Sequence, residues 1–245
     1  MNKPDYIGDA DWKILKDKYK GSLPKEIIDK LERKYPIQYL IGNVEFYNTI
    51  LEVNESVLIP RFETELLVQK TINLIKENKI NPSKIIDLGT GSGAIAISLA
   101  KEFNISVDAL DISEDALNVA KKNATSNEVK LNLIRNDILN DSIELDHTLI
   151  ISNPPYVDYE EEVDPQTKYE PQNAIFAENK GLKFYEKIIS IAKNNKTKTF
   201  WLVFEIGANQ KEEIKRIITN IFPNARIICE KDFTNRDRYI FASIS

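Results

Sequence analysis

One cysteine, one histidine, one methionine and two tryptophans are all that 245 residues hold of those types. The single cysteine, Cys229, excludes an intrachain disulfide and a cysteine-built metal cluster within one chain, and no metal site is expected. His147 is the only imidazole, so Cys–His and Ser–His nucleophile chemistry has almost no material to work with. No run of about 18 apolar residues occurs, and the opening MNKPDYIGDADWK has no apolar core of signal-peptide length. A soluble cytoplasmic protein with no membrane partner is expected. Positive charge is in deficit too: 33 Lys and Arg stand against 38 Asp and Glu, a net charge of −5. That balance repels phosphate backbones, so a nucleic-acid partner is not expected. His147, in a polar stretch, reads as a solvated loop residue. Cys229, ending the apolar run 226–229, reads as a small core residue.

What is present is an alternation of elements. Residues 9–34 read as two short helices, with Ile27, Ile28 and Leu31 on one face and Pro24 in a first turn. Residues 44–53 read as a β-hairpin centred on Asn48 and Thr49. Thr64 is a candidate N-cap for a helix running to about Asn78, with Leu67, Thr71, Leu74 and Ile75 inward. From Lys84 onward, strands alternate with helices: strands at 84–88, 106–110, 129–134, 149–151, 199–205, 226–229 and 238–244, helices at 94–102, 181–193 and 210–221, and one capped by Ser113 with Leu117, Ala120 and Ala124 inward. This rhythm implies an α/β sheet, mainly parallel, with right-handed crossovers. The last two strands lack an intervening helix and imply an antiparallel end.

Two short motifs sit at strand ends, where open α/β sheets bind ligands. The first runs Asp87, Leu88, Gly89, Thr90, Gly91, Ser92, Gly93, Ala94. Its glycines let the backbone turn sharply and approach a ligand. Asp111, about 20 residues on, closes the next strand, where a carboxylate can accept hydrogen bonds from both hydroxyls of a ribose. The pair marks a nucleoside cofactor without naming it. Gly89-x-Gly91-x-x-Ala94 fits the dinucleotide pattern, and the same residues fit the G-x-G-x-G loop of S-adenosylmethionine-dependent methyltransferases. Asp87 ahead of the first glycine leans toward the second.

The second motif is Asn153, Pro154, Pro155, Tyr156, which ends the apolar strand before it. A planar amide or aromatic amine is a poor nucleophile because its lone pair is delocalised. Its two hydrogens need two acceptors. Asn153 offers a side-chain oxygen, Pro154 a carbonyl aimed by two rings, and Tyr156 a flat face. Such a grip opposes the conjugation and points the lone pair at an electrophile, so that orientation and electrostatics suffice. As a plain alternative, Pro154 and Pro155 are only a stiff turn.

Together the two motifs resemble amino-group methyltransferases. Three further stretches narrow the resemblance: YPIQYLIG at 35–42 followed by Phe46 and Tyr47, LIPRFETE at 58–65, and the segment 169–181 with Tyr169, Glu170, Pro171 and Gly181. Over about residues 35–245 the chain resembles the peptide chain release factor N5-glutamine methyltransferases. The resemblance implies a seven-stranded, mostly parallel Rossmann-like class I methyltransferase sheet over 61–245, a linker and hairpin over 36–60 and a helical segment over 1–35. It implies S-adenosylmethionine as cofactor, S-adenosylhomocysteine as product, and methylation of the glutamine amide in the Gly-Gly-Gln loop of class 1 release factors. A ribosomal-protein glutamine or an exocyclic base amine is the alternative acceptor. Carried over by position, the cofactor set is Asp87, Gly89 to Gly93 with Thr90 and Ser92, Asp111, Ile112, Asp137, Ile138, Asn153 and Arg61. Asn153, Pro154, Pro155 and Tyr156 would grip the substrate. Arg61 and Glu63 would brace the cofactor side, or Arg61 would pair with Glu63 or Glu65. As an alternative, Asp137 reads as a strand-end cap, and Glu205 reads as structural. Two departures stand out: about 35 residues precede YPIQYLIG, fewer than the family's usual helical domain, and Phe62 and Ile138 replace a proline and a frequent aromatic. Loop 157–180 is longer than a typical connection and is expected to touch substrate. A monomer is expected.

Overall fold

The computed structural model describes residues 2–80, 82 and 84–245. In chain order, helices α1 (Asp9–Lys18), α2 (Lys25–Glu32) and α3 (Ile37–Ile41) precede a hairpin of β1 (Asn43–Phe46) and β2 (Thr49–Glu52). Helix α4 (Phe62–Glu77) leads into β3 (Ile85–Leu88), α5 (Ala94–Phe103), β4 (Ser106–Asp111), α6 (Glu114–Ser126), β5 (Lys130–Arg135) and β6 (Leu149–Ser152). The chain ends with α7 (Lys183–Ala192), β7 (Phe200–Glu205), α8 (Lys211–Ile221), β8 (Arg226–Lys231) and β9 (Asp237–Ile244). Among these described residues no helix is long and apolar enough to cross a membrane.

The seven strands β3 to β9 form one sheet in the order β5-β4-β3-β6-β7-β9-β8. Neighbours from β5 to β7 pair in parallel, and β9 runs antiparallel to both β7 and β8. The antiparallel end read from the sequence is therefore present. A strand's side chains alternate between faces, and the core divides accordingly. Ile85, Val107, Leu149, Ile151 and Val203 meet α4 and α5 on one face. Ile86, Leu110, Ile150, Leu202 and Phe204 meet α7 and α8 on the other. Strands β3, β6 and β7 are buried along their whole length, as parallel strands covered on both faces must be. The first three helices enclose a separate apolar cluster around Leu15, Leu31 and Leu40, with Tyr169 packed at its side.

Local readings hold with four shifts. The hairpin turns at Tyr47 and Asn48 rather than at Asn48 and Thr49, and Tyr47 takes the left-handed conformation. Helix α4 starts at Phe62, so Arg61 is its N-cap residue and Thr64 lies inside its first turn. His147 is buried, because its Nε2 lies 2.8 Å from Asp108 Oδ2 and its amide donates to Asn195 Oδ1, while its neighbours Glu144 and Asp146 stay exposed. Cys229 is only partly buried, because β8 is an edge strand. Ser113 caps α6 as read, accepting from the Ala116 amide.

One buried side chain ties three parts of this fold together. Asn123 of α6 accepts from the Glu52 amide at 2.6 Å and donates to the carbonyls of Glu52 at 3.0 Å and Ser92 at 2.9 Å. It thus joins the hairpin to the glycine loop after β3. Asn123→Ala strands three backbone polar groups and is expected to cost roughly 2–4 kcal/mol in urea unfolding. A loss below about 0.5 kcal/mol would show that water replaces the amide.

Candidate active site

The carboxyl ends of β3, β4, β5 and β6 open onto a cavity of about 560 Å³, a size typical of small-ligand sites. Leu88, Gly89 and Gly91 form its floor, Asp111 and Ile112 one wall, Asp137 and Ile138 another, and Asn153 to Pro155 its far rim. Two segments close over it: residues 55–58, and residues from 171 to 184 within and after the long loop. The structure thus gathers Gly89, Gly91, Asp111, Ile112, Asp137, Ile138, Asn153, Pro154 and Pro155 around one space.

The glycine loop owes its shape to left-handed residues: φ is +79° at Gly89, +53° at Gly91 and +84° at Gly93. At Gly89 and Gly91 an added Cβ would meet no atom within 4 Å, so the backbone lies bare to the cavity. At Gly93 it would press on Ile97 and Ala120, so that glycine serves packing instead. Four of the loop amides are already taken. Gly89 and Thr90 donate to the Leu110 carbonyl, Gly93 to Thr90, and Gly91 to Asp111 Oδ2 at 2.9 Å. A pyrophosphate needs such amides free, so at Gly89 to Gly91 the loop offers a backbone surface rather than an anion cradle. That favours the methyltransferase pattern over the dinucleotide one, which the sequence left open.

Asp111 also accepts from the Ser113 amide at 2.9 Å, which sets its carboxylate at the cavity wall with lone pairs left for a diol. Burial raises its pKa, opposed by the amides of Ser113 and Gly91. Asp87 is fully buried beneath the loop. Its Oδ2 accepts from Thr90 Oγ1 at 2.7 Å and its Oδ1 has no partner among the described residues. Burial pushes its pKa up to about 7, against the Thr90 hydroxyl and the Ala96 amide, which also faces the carboxylate. Asp137 faces solvent at a turn, accepting from Leu139 and Asn140, which lowers its pKa through the Asn140 amide first. Ile112, 48% exposed, gives the wall an apolar edge. A bare glycine floor, a diol acceptor and an apolar wall fit a nucleoside joined to an amino acid.

At the rim, Asn153 Nδ2 donates to Thr64 Oγ1 at 3.1 Å. Neither Asn153 Oδ1 nor the Pro154 carbonyl accepts a hydrogen bond among the described residues. Both stay available as acceptors at the edge of the cavity. The Tyr156 ring turns away: it packs into the second core cluster, and its hydroxyl lies 3.3 Å from Glu205 Oε1 and 3.4 Å from Arg238 Nη1. Arg61 is outside the cavity lining and pairs with Glu170 of the long loop, rather than with Glu63 or Glu65. Glu170 also accepts from the Ile59 amide, so the loop is bolted to the segment ahead of α4. Thr90, Ser92 and Gly93 support the loop from below without lining the cavity. Sequence reasoning missed Thr64 as a partner of Asn153. It also missed Tyr159, 66% exposed, which stacks on Phe176 at 5.4 Å within the lining. An aromatic pair in the loop following the two-proline turn was the only signal for the latter.

Comparison with known proteins agrees with this geometry. The family described as Methyltransferase small domain matches residues 63–233. The release factor glutamine methyltransferase of Lactococcus lactis is 41% identical over 244 residues, 98% of this chain and 88% of that protein. Its counterpart in Staphylococcus aureus is 38% identical, over 84% of this chain and 74% of that one. A methyltransferase structure from Pyrococcus furiosus shares the fold with a TM-score of 0.57 at 16% identity, covering 94% and 98% of the two chains.

Two outcomes follow from the geometry. An added Cβ at Gly181, where φ is +75°, would stand 1.9 Å from the Tyr156 carbonyl oxygen and 2.5 Å from Gln210 Nε2. Gly181→Ala is expected to lower the melting temperature by about 4–10 °C; an unchanged Tm would mean that the turn moves freely. For Asp87 the raised pKa means that the native state holds a proton that the unfolded chain releases. Its contribution to stability is full below about pH 4 and is lost as pH rises through about 7. Without ligand, Asp87→Asn should therefore gain stability relative to wild type from pH 4 to pH 8. A flat difference would show that Asp87 is ionised throughout.

Proposed function

The chain belongs to the release factor glutamine methyltransferases, and from that premise we infer that it moves a methyl group from S-adenosylmethionine to the side-chain amide nitrogen of a glutamine. The acceptor is the glutamine of the Gly-Gly-Gln loop in class 1 peptide chain release factors, and the reaction takes place in the cytoplasm with the enzyme as a monomer. Residues 61–245 act as the transferase unit, the hairpin and linker of 36–60 as its brace, and residues 1–35 as a helical appendage. S-adenosylmethionine supplies an electrophilic methyl on a sulfonium, so no metal or strong base is called for.

The chain's own residues supply position. Gly89 and Gly91 give the amino-acid end of the cofactor a close backbone approach, with Asp87 beneath. Asp111 accepts from the ribose hydroxyls, while Ile112, Asp137 and Ile138 border the base. Asn153 Oδ1 and the Pro154 carbonyl take the two amide hydrogens of the incoming glutamine. The nitrogen lone pair is thereby turned out of conjugation and toward the methyl. As the new bond forms, the nitrogen becomes acidic and its proton leaves to water. The observation that carries the reading is a pair of acceptors on the cavity rim, without a partner among the described residues and held on a turn with two prolines. A net charge of −5 supports a protein acceptor over a nucleic-acid one.

The test is transfer of labelled methyl to a class 1 release factor, with the loop glutamine intact or replaced by alanine. Label should appear only on the intact factor, and Asn153→Ala should lower turnover about 10²-fold or more. Label on a ribosomal protein or nucleic acid in place of the factor would overturn the acceptor.

A further inference from the structure

Asn153 can do its proposed work only one way round. Its carbonyl end can hold a substrate NH2, whereas its own NH2 end cannot. The two ends have nearly the same shape, so packing alone does not choose between them. The hydrogen-bond chain behind Asn153 does. Thr64 Oγ1, 5% exposed, receives Asn153 Nδ2 at 3.1 Å and donates to Glu205 Oε2 at 2.8 Å. Glu205, 1% exposed, takes the Tyr156 hydroxyl on its other oxygen at 3.3 Å, and Arg238 Nη1 lies behind that hydroxyl at 3.4 Å. Both ends of the turn from 153 to 156 thus point donors inward along two branches that converge on one carboxylate.

Proton counting fixes the direction. A threonine hydroxyl has a single proton. Facing a carboxylate, which only accepts, that proton goes to Glu205. Only lone pairs then remain toward Asn153, so Asn153 must present NH2 to Thr64 and Oδ1 to the cavity. If Glu205 takes up a proton, it can donate to Thr64, and Thr64 can donate to Asn153 Oδ1. The amide then turns, and two NH2 groups face each other across the rim.

We propose that Glu205, acting through Thr64, is a positioning residue that sets which end of Asn153 faces the acceptor amide, so that turnover requires Glu205 without its proton. This rests on the glutamine methylation inferred above and adds a pH-dependent orientation to it. The groups facing Glu205 are Glu63 and Thr64 on α4, Tyr156 on the turn, Tyr185 on α7, whose hydroxyl binds the Glu205 carbonyl, and Arg238 and Tyr239 on β9. Burial, helped by Glu63, raises the carboxyl to about 7 against the pull of Thr64 and Arg238. The orientation therefore changes near neutral pH.

The experiment measures kcat and cofactor affinity from pH 5.5 to 9 for wild type, Thr64→Val, Thr64→Ser and Glu205→Gln, using a release factor as acceptor. Wild-type kcat should fall below an apparent pKa near 7. Thr64→Val should lose about tenfold or more in kcat with cofactor affinity within about twofold, which also shows that it folds. Thr64→Ser should restore most of the rate, and Glu205→Gln should have lost the acidic limb. Equal rates for Thr64→Val and wild type, or an unchanged limb in Glu205→Gln, would overturn the relay. The side-chain 15N resonance of Asn153, assigned through Asn153→Asp, reads the same device without a substrate. It should step with pH in wild type and not in Glu205→Gln, and a flat wild-type trace would overturn the proposal. Absence of methyl transfer by wild type would sink the acceptor assignment alone, leaving this resonance to judge the relay.

Discussion

Burial of the central strands on both faces is the constraint from which the rest of the structure follows. A parallel strand covered by helices on each side has no room for polar side chains along its length. Polar chemistry is pushed to its carboxyl end. The strand β3 carries Asp87 next to its end, β6 closes on Ser152 and β7 on Glu205, and all three are buried. Each must then find a partner from a neighbouring strand, loop or helix. Ser152 donates to the Leu88 carbonyl, Asp87 receives Thr90, and Glu205 receives Thr64 and Tyr156. The site is the place where these obligations meet, and its order comes from satisfying them.

The long loop between β6 and α7 answers a second requirement. A turn with two consecutive prolines cannot be pinned through its own amides. It is pinned from outside. Gln210 donates to the Tyr156 carbonyl, and Val157 bridges to Phe176. Further along, Glu170 grips Arg61 and the Ile59 amide, and Tyr169 donates to the Arg33 carbonyl and packs edge-on against Tyr35. The loop is thus a strap that runs from the two-proline turn to the first helices.

How much of this could be read in advance depends on range. The alternation of strands and helices, the cap at Ser113 and the glycine loop were legible, because each is written in a few consecutive residues. The pairing of Asn153 with Thr64 was not. Thr64 looked like a helix cap, which is the commonest local use of a threonine before an apolar run. The helix starts two residues earlier, and the hydroxyl is taken by a carboxylate 141 positions away. Glu205 read as structural for the same reason, since nothing near it in sequence tells that two donors converge on it. His147 was misread because the local polarity around it says nothing of Asp108, 39 positions away. Arg61 had acidic neighbours in sequence yet found its partner 109 positions on. Local chemistry names the groups, and only topology names their partners.

Those separations have a consequence for how the protein is born. A chain leaving the ribosome presents its glycine loop and its two-proline turn before β7 and β9 exist. Until Glu205 has emerged, Thr64 has no acceptor, and until Glu170 has emerged the first helices have no strap. A partly made chain can therefore carry the residues of the site without its order. The order behind Thr64 arrives late in synthesis, with strands that contribute nothing to the cavity wall.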